Sequence, residues 1–284
     1  MHFHFPFAVS QVLWTLTFAA QLTLLVVLLG RDRIKRYPWF TVGIALYALH
    51  LLVEVLLAGR MATIVYQAVS IGLADLEVLI GLLVVIEIGR RAFGGAGLRT
   101  RAIGAAAMVV VAGGVLAAWG PWLTWKQITP NPAVTVLNLM LVVAAPNDTL
   151  MVLRGVSKGQ IFVSLFMIQL GLLVVVFGRQ FTAGWRSHTQ KIAIGLSTIA
   201  ISWLAVQGGW QLIAKTAQIH TRQEYERIIG LGSKLLNADK VVYVAVLVWW
   251  IVCLWFDEPG TAIAEAAEEP APSLALEEPP QLAQ

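Results

Sequence analysis

Seven apolar stretches run along this chain, at about 8–29, 39–58, 67–88, 102–120, 156–177, 191–213 and 240–256, and short polar connections separate most of them. A hydrocarbon layer of about 30 Å divided by a helical rise of 1.5 Å per residue requires about 20 apolar residues per crossing. The pattern therefore predicts an all-α fold, a polytopic membrane helix bundle of seven transmembrane helices spanning residues 1–256. Two further segments read differently. Residues 132–145 are apolar but bounded by Pro132 and Pro146, and fourteen residues cover only about 21 Å, which favours an interfacial or re-entrant helix over an eighth span. Residues 219–237 place Tyr225, Ile228, Ile229, Gly232, Leu235 and Leu236 on one helical face, the pattern of an amphipathic helix lying on the outer membrane surface or on the bundle. From Asp257 to Gln284 the chain is Ala, Pro and Glu without an aromatic residue, so a disordered acidic tail is expected.

Charge sets the orientation. Loop 30–38 carries Arg31, Arg33, Lys35 and Arg36, and loop 89–101 carries Arg90, Arg91, Arg99 and Arg101, whereas 59–66 carries Arg60 alone. Basic loops near the first spans stay in the cytoplasm, giving N-out and C-in, with Arg179 and Arg186 in agreement. The loop 214–239, with Lys215, Arg222, Arg227 and Lys234, runs against this and is partly neutralised by Glu224, Glu226 and Asp239.

Composition supports a membrane chain. It is 58% hydrophobic and 13% charged over 284 residues, with a mean hydropathy of +0.76, too apolar for a soluble domain. Seven of the 16 acidic residues lie beyond position 256, so the body carries 20 basic against nine acidic groups. That balance suits loops facing anionic lipid; nucleic acid is not an expected partner, because the Trp residues lie at span ends rather than among the bases. The single cysteine, Cys253, excludes an internal disulfide and a cysteine metal cage. The N-terminus lacks a basic n-region, so the first stretch reads as a retained span. A bacterial inner membrane is the expected location.

One polar cluster lies inside the spans. His50 and Glu54 are four apart and share a face of the second helix. Reflection about the short loop brings Asp75 of the third span to the depth of Tyr47 and His50, with Glu77 about one residue's rise deeper. Ionisable groups at this depth are retained for interior packing or for function. Tyr47, His50, Glu54, Asp75 and Glu77 form the candidate ligand or proton site, and a hydrogen-bonded latch fixing helix packing is the competing account. No metal is expected, because other spans supply no second histidine, and no cofactor is expected.

Other features have plainer explanations. Glu87 with Arg90 and Arg91 reads as a surface ion-pair set. Gln21, Gln169 and Gln207 are expected to hydrogen-bond between helices. Trp249, Trp250 and Trp255, and Trp119, Trp122 and Trp125, read as interfacial belts. A retinal-binding receptor needs a lysine within the last span, and Lys240 stands only at its start. Gly195-Leu196-Ser197-Thr198 faintly suggests the nucleophile of rhomboid proteases, but the last span lacks the histidine those enzymes place there. Gly155 and Gly159 make a GxxxG spacing that arises easily by chance, and the N-terminal Met-His-Phe-His offers only two histidines to copper. HExxH, GxGxxG and phosphate-loop motifs are missing.

Several phrases resemble a group of uncharacterised membrane proteins found largely in acidobacteria: the basic run into Arg36-Tyr37-Pro38-Trp39-Phe40-Thr41, then Val85-Ile86-Glu87-Ile88-Gly89-Arg90, Gln169-Leu170-Gly171-Leu172-Leu173, Trp185-Arg186-Ser187, Ile194-Gly195-Leu196, and Trp249-Trp250 to Glu258-Pro259. The resemblance covers most of the membrane part and implies seven spans and no particular chemistry. The order of spans also looks like the seven-helix sensory region of some histidine kinases, without a kinase. The expected function is a receptor-like or accessory membrane module without catalytic activity, acting in the lipid bilayer through a signalling or membrane-complex protein partner. The alternatives are a proton-coupled small-solute carrier using His50, Glu54 and Asp75, and a membrane-bound enzyme.

Overall fold

The computed structural model describes residues 9–57, 63–94, 97–118, 146–177, 187–216 and 222–257. Seven helices make up this part: α1 (Val9–Gly30), α2 (Pro38–Leu57), α3 (Thr63–Ala92), α4 (Leu98–Ala118), α5 (Pro146–Phe177), α6 (His188–Thr216) and α7 (Arg222–Trp255). No strand occurs among the described residues. Six of the helices, all but α4, are long and apolar enough to cross a membrane. The protein is an all-helical, multi-pass bundle. Segments 132–145 and 258–284 and the N-terminal histidines lie outside the described residues.

Why the helices start and stop where they do is clearest between α1 and α2. Arg33 N donates to Leu28 O at 2.9 Å and Asp32 N to Leu29 O at 3.2 Å. With Asp32 at φ 51°, this is a Schellman end in which aspartate takes the left-handed position usually given to glycine. Pro38 then opens α2, where its missing N–H costs nothing.

Contacts between helices give their directions. Gln21 meets Tyr243 and Arg33 meets Asp257, so α1 and α7 run parallel. Gly159 approaches Val78, Gly81 approaches Val163 and Gly89 approaches Leu170, so α3 and α5 run parallel as well. His50 faces Glu77 and Phe40 faces Glu87, which makes α2 antiparallel to α3. Ser202 faces Asp239 and His188 faces Phe256, which makes α6 antiparallel to α7. The C-terminal ends of α1, α3 and α7 thus gather with the N-terminal ends of α2 and α6. The basic residues Arg31, Arg33, Arg36, Arg90 and Arg91 are all at this end.

The basic end is also the tightly packed end. Leu24, Leu28, Phe40, Ile88, Leu247 and Trp250 are buried there in one cluster. Two expectations change here. Trp250, read from sequence as part of an interfacial belt, is 1 % exposed; its indole donates to Lys191 O at 3.2 Å and meets Phe40 edge-on at 5.0 Å. Glycine 195 makes room for it, because a Cβ at that position would fall inside the indole. Glu87, read as a surface ion-pair partner, is buried and accepts the Phe40 amide at 3.0 Å. It caps the first turn of α2, where unpaired N–H groups and the helix dipole favour a carboxylate.

A third difference concerns the last helix. The separate amphipathic helix expected over 219–237 is, from Arg222 on, the first half of α7, which is 34 residues long and about 51 Å from end to end. Nothing between Arg222 and Trp255 stops a helix; Gly230 and Gly232 are tolerated, and a Cβ on Gly232 would overlap Trp210 of α6. Of the two placements expected for the apolar stripe, the structure shows part of it on the bundle, with Leu235 of α7 against Gly209 of α6.

Candidate functional site

Away from the basic end the bundle loosens around a cavity of about 350 Å³. Its walls come from α1, α2, α3, α5, α6 and α7, every helix except the peripheral α4. Toward the packed end the lining is apolar, with Phe40, Ile44, Val84, Leu196 and Trp250. Toward the other end it is polar and aromatic, with Gln21, Tyr47, Glu77, Asp239, Lys240 and Tyr243. A mostly apolar pocket with a few convergent polar groups is the form small-molecule sites take.

Each polar group is held by local geometry. Glu77 is 8 % exposed, and one of its oxygens lies 2.5 Å from His50 Nδ1. The other ring nitrogen, Nε2, sits 3.6 Å from Glu54 Oε1, one helical turn along α2. Glu54 is more exposed than either partner, so Glu77, His50 and Glu54 form a row leading from the cavity wall outward. Tyr47 lies one turn toward the basic end from His50 and faces the Tyr243 ring at 6.4 Å. Gln21 is 1 % exposed; its Nε2 donates to the Tyr243 hydroxyl at 3.0 Å, and its Oε1 accepts from no described group. Asp239 accepts the Ser202 hydroxyl at 2.6 Å, and Lys240 follows it on the same wall.

Of the sequence-derived set, the structure brings together Tyr47, His50, Glu54 and Glu77 and leaves Asp75 out. Asp75 is exposed on α3. Two residues apart on a helix means about 200° of rotation, so Asp75 and Glu77 face opposite sides, and it is Glu77 that His50 meets. Matching depth about the loop does not decide which face a residue occupies. Sequence reasoning missed Asp239 because it began the last span at 240, and it singled out neither Lys240 nor Tyr243 within that span as a site residue. The spacing Asp239, Tyr243, Val246, Trp250 and Leu254, in steps of four, three, four and four, was the available signal that one face continues past that boundary. The expectation that Lys240 merely opens the span is likewise corrected: it lies within α7 and lines the cavity. Ser197 shares its hydroxyl between Ala193 O at 2.8 Å and Met167 O at 2.9 Å, a packing role rather than a nucleophile's. Of the intramembrane glutamines, Gln21 makes the interhelical bond expected of it. Among the described residues no three His, Cys, Asp or Glu side chains are grouped closely enough to hold a metal ion.

Compared with known proteins, the chain matches no family model, no curated protein and no solved structure. Function therefore has to be argued from the site itself.

Proposed function

We propose that the protein is a receptor-like module of the bacterial inner membrane, without catalytic activity of its own, that binds a small molecule in the central cavity and acts through a protein partner. The observation that carries this reading is the cavity, lined by six unbroken helices and carrying the buried Glu77. Carriers commonly build their sites from discontinuous helices, and the six helices that form these walls are continuous. In this reading α4, although only Ala102–Ala118 of it is strongly apolar, supplies the crossing that lets α5 run parallel to α3, for seven crossings in all. The basic end is cytoplasmic, by the preference of Lys and Arg for that side, which places the N-terminus outside and Asp257 inside. The likeness of span order to the sensory region of some histidine kinases fits a signal passed to a partner at that face.

A second reading has an observation of its own. The row Glu77–His50–Glu54 joins the cavity to the more exposed side of the bundle, as a proton path in a coupled carrier would. It replaces the trio His50, Glu54 and Asp75, since Asp75 faces away. The two readings separate in proteoliposomes. A library of small amphipathic compounds is screened by thermal shift on the purified protein, and each hit is then tested for uptake with and without a pH gradient. The receptor-like reading predicts saturable binding with no uptake above protein-free vesicles. Uptake that follows the gradient would replace it with the carrier, and a screen without any hit would count against both.

A further inference from the structure

Taking the cavity as a ligand site, as above, we infer that its ligand is a protonated amine carrying an apolar body. The inference rests on which hydrogen-bonding capacities the cavity leaves unused. Gln21 is 1 % exposed, and its Oε1 lacks a donor among the described residues. Such a buried carbonyl is costly to leave unmade, and a donor supplied by a ligand removes the cost. Glu77 is a second buried acceptor on the same wall. Its neighbour His50 already occupies one carboxylate oxygen, which leaves the other to accept. Asp239 is the third acceptor.

Lys240 follows Asp239 directly in the chain, lines the same wall and acts on that carboxylate. His50 Nδ1 takes one oxygen of Glu77, and the other oxygen of that carboxylate and Gln21 Oε1 remain to accept on the facing walls. An ammonium group offers several N–H donors at once, which suits acceptors converging from α1 and α3; an alcohol offers one, and a carboxylate none. Aromatic rings complete the surroundings: Trp14, Tyr47, Trp203 and Tyr243 all line the cavity, and ring faces attract cations, more strongly where water is excluded. The apolar end at Phe40, Ile44, Val84 and Leu196 would take the body of the molecule.

The test compares molecules that share an apolar body and differ in the polar group it carries. Primary amines with bodies from butyl to naphthylethyl, 2-phenylethylamine among them, are measured against the matching alcohols and carboxylates by equilibrium binding to the full chain in phosphatidylcholine nanodiscs. The uncharged lipid keeps the membrane surface from selecting the cation. At least one amine is expected to bind saturably, at least tenfold tighter than its alcohol, with no saturable binding of its carboxylate. Glu77→Gln should weaken the amine at least tenfold. Because that change also disturbs the His50 pair, Gln21→Leu serves as a second variant and should weaken the amine severalfold while leaving the helical circular dichroism unchanged. Preference for the carboxylates would overturn the amine assignment and make Lys240 the anchor, leaving the ligand-site reading intact. Equal binding of all three series, or amine binding indifferent to Gln21→Leu, would also overturn it. Failure of every amine overturns the assignment, whereas the ligand-site reading falls only if the wider library screen fails too.

Discussion

Trp250→Ala should lower the stability of the purified protein by about 3–5 kcal/mol, the usual range for truncating a large buried aromatic. Three losses combine at this position. The indole leaves a void between α2, α6 and α7 at the packed end, Phe40 loses its edge-on partner, and Lys191 O loses a donor. Lipid tails are as apolar as the core, so in a membrane most of this cost is lost packing rather than exposure to water. Reversible unfolding in mixed detergent micelles measures it. The converse change should also be harmful: Gly195→Ala puts a methyl group into the indole and should cost about 1–3 kcal/mol. In a Trp250→Ala background the same Gly195→Ala change should cost little. Additive effects of the two substitutions would show that the close approach of α6 to Trp250 does not hold the bundle together.

His50→Leu should cost about 3–5 kcal/mol, because it leaves the buried Glu77 carboxylate without its partner. The reverse substitution, Glu77→Leu, should cost less, about 1–3 kcal/mol, since an imidazole left alone can remain neutral and Glu54 is still within reach of Nε2. The double variant His50→Leu/Glu77→Leu should recover most of the loss from His50→Leu alone, because an apolar pair of similar volume needs no desolvated charge. Asp75→Asn, by contrast, should not lower stability, because Asp75 is exposed on α3 within its apolar span and a neutral amide is less costly there than a carboxylate. A stable His50→Leu variant, or equal effects at Asp75 and Glu77, would remove the buried pair from the account.

These residues show how far the sequence could be read. The spans follow from length and hydropathy, so the six long apolar helices stand close to the expected segments. Lengths differ where polar residues continue a helix beyond the hydrocarbon: hydropathy ends a span at its last apolar residue, while the backbone ends it only at a cap or a breaker. That is why α7 runs to 34 residues and carries Asp239 and Lys240 onto the cavity wall. His50 and Glu54 were legible because their spacing lies within one helix. Choosing between Asp75 and Glu77 required the rotation of α3 against α2, which sequence depth does not contain. Glu87 was misread for the same reason: its i,i+3 and i,i+4 neighbours are visible in the sequence, whereas the α2 terminus it caps is 47 positions away.

The central claim is a cavity walled by helices that cross the membrane in alternating directions, and labelling from one side tests it most directly. In a Cys253→Ser background, single cysteines are placed at Ser10, Gly97, Ala118 and Asp257 and exposed in intact cells to a thiol reagent that does not cross the inner membrane. Seven crossings with the basic end in the cytoplasm predict labelling at positions 10 and 118, and at 97 and 257 only after the membrane is opened. Labelling at 257 in intact cells, or at 97 and 118 alike, would contradict the seven-crossing arrangement and with it the orientation assigned to the cavity.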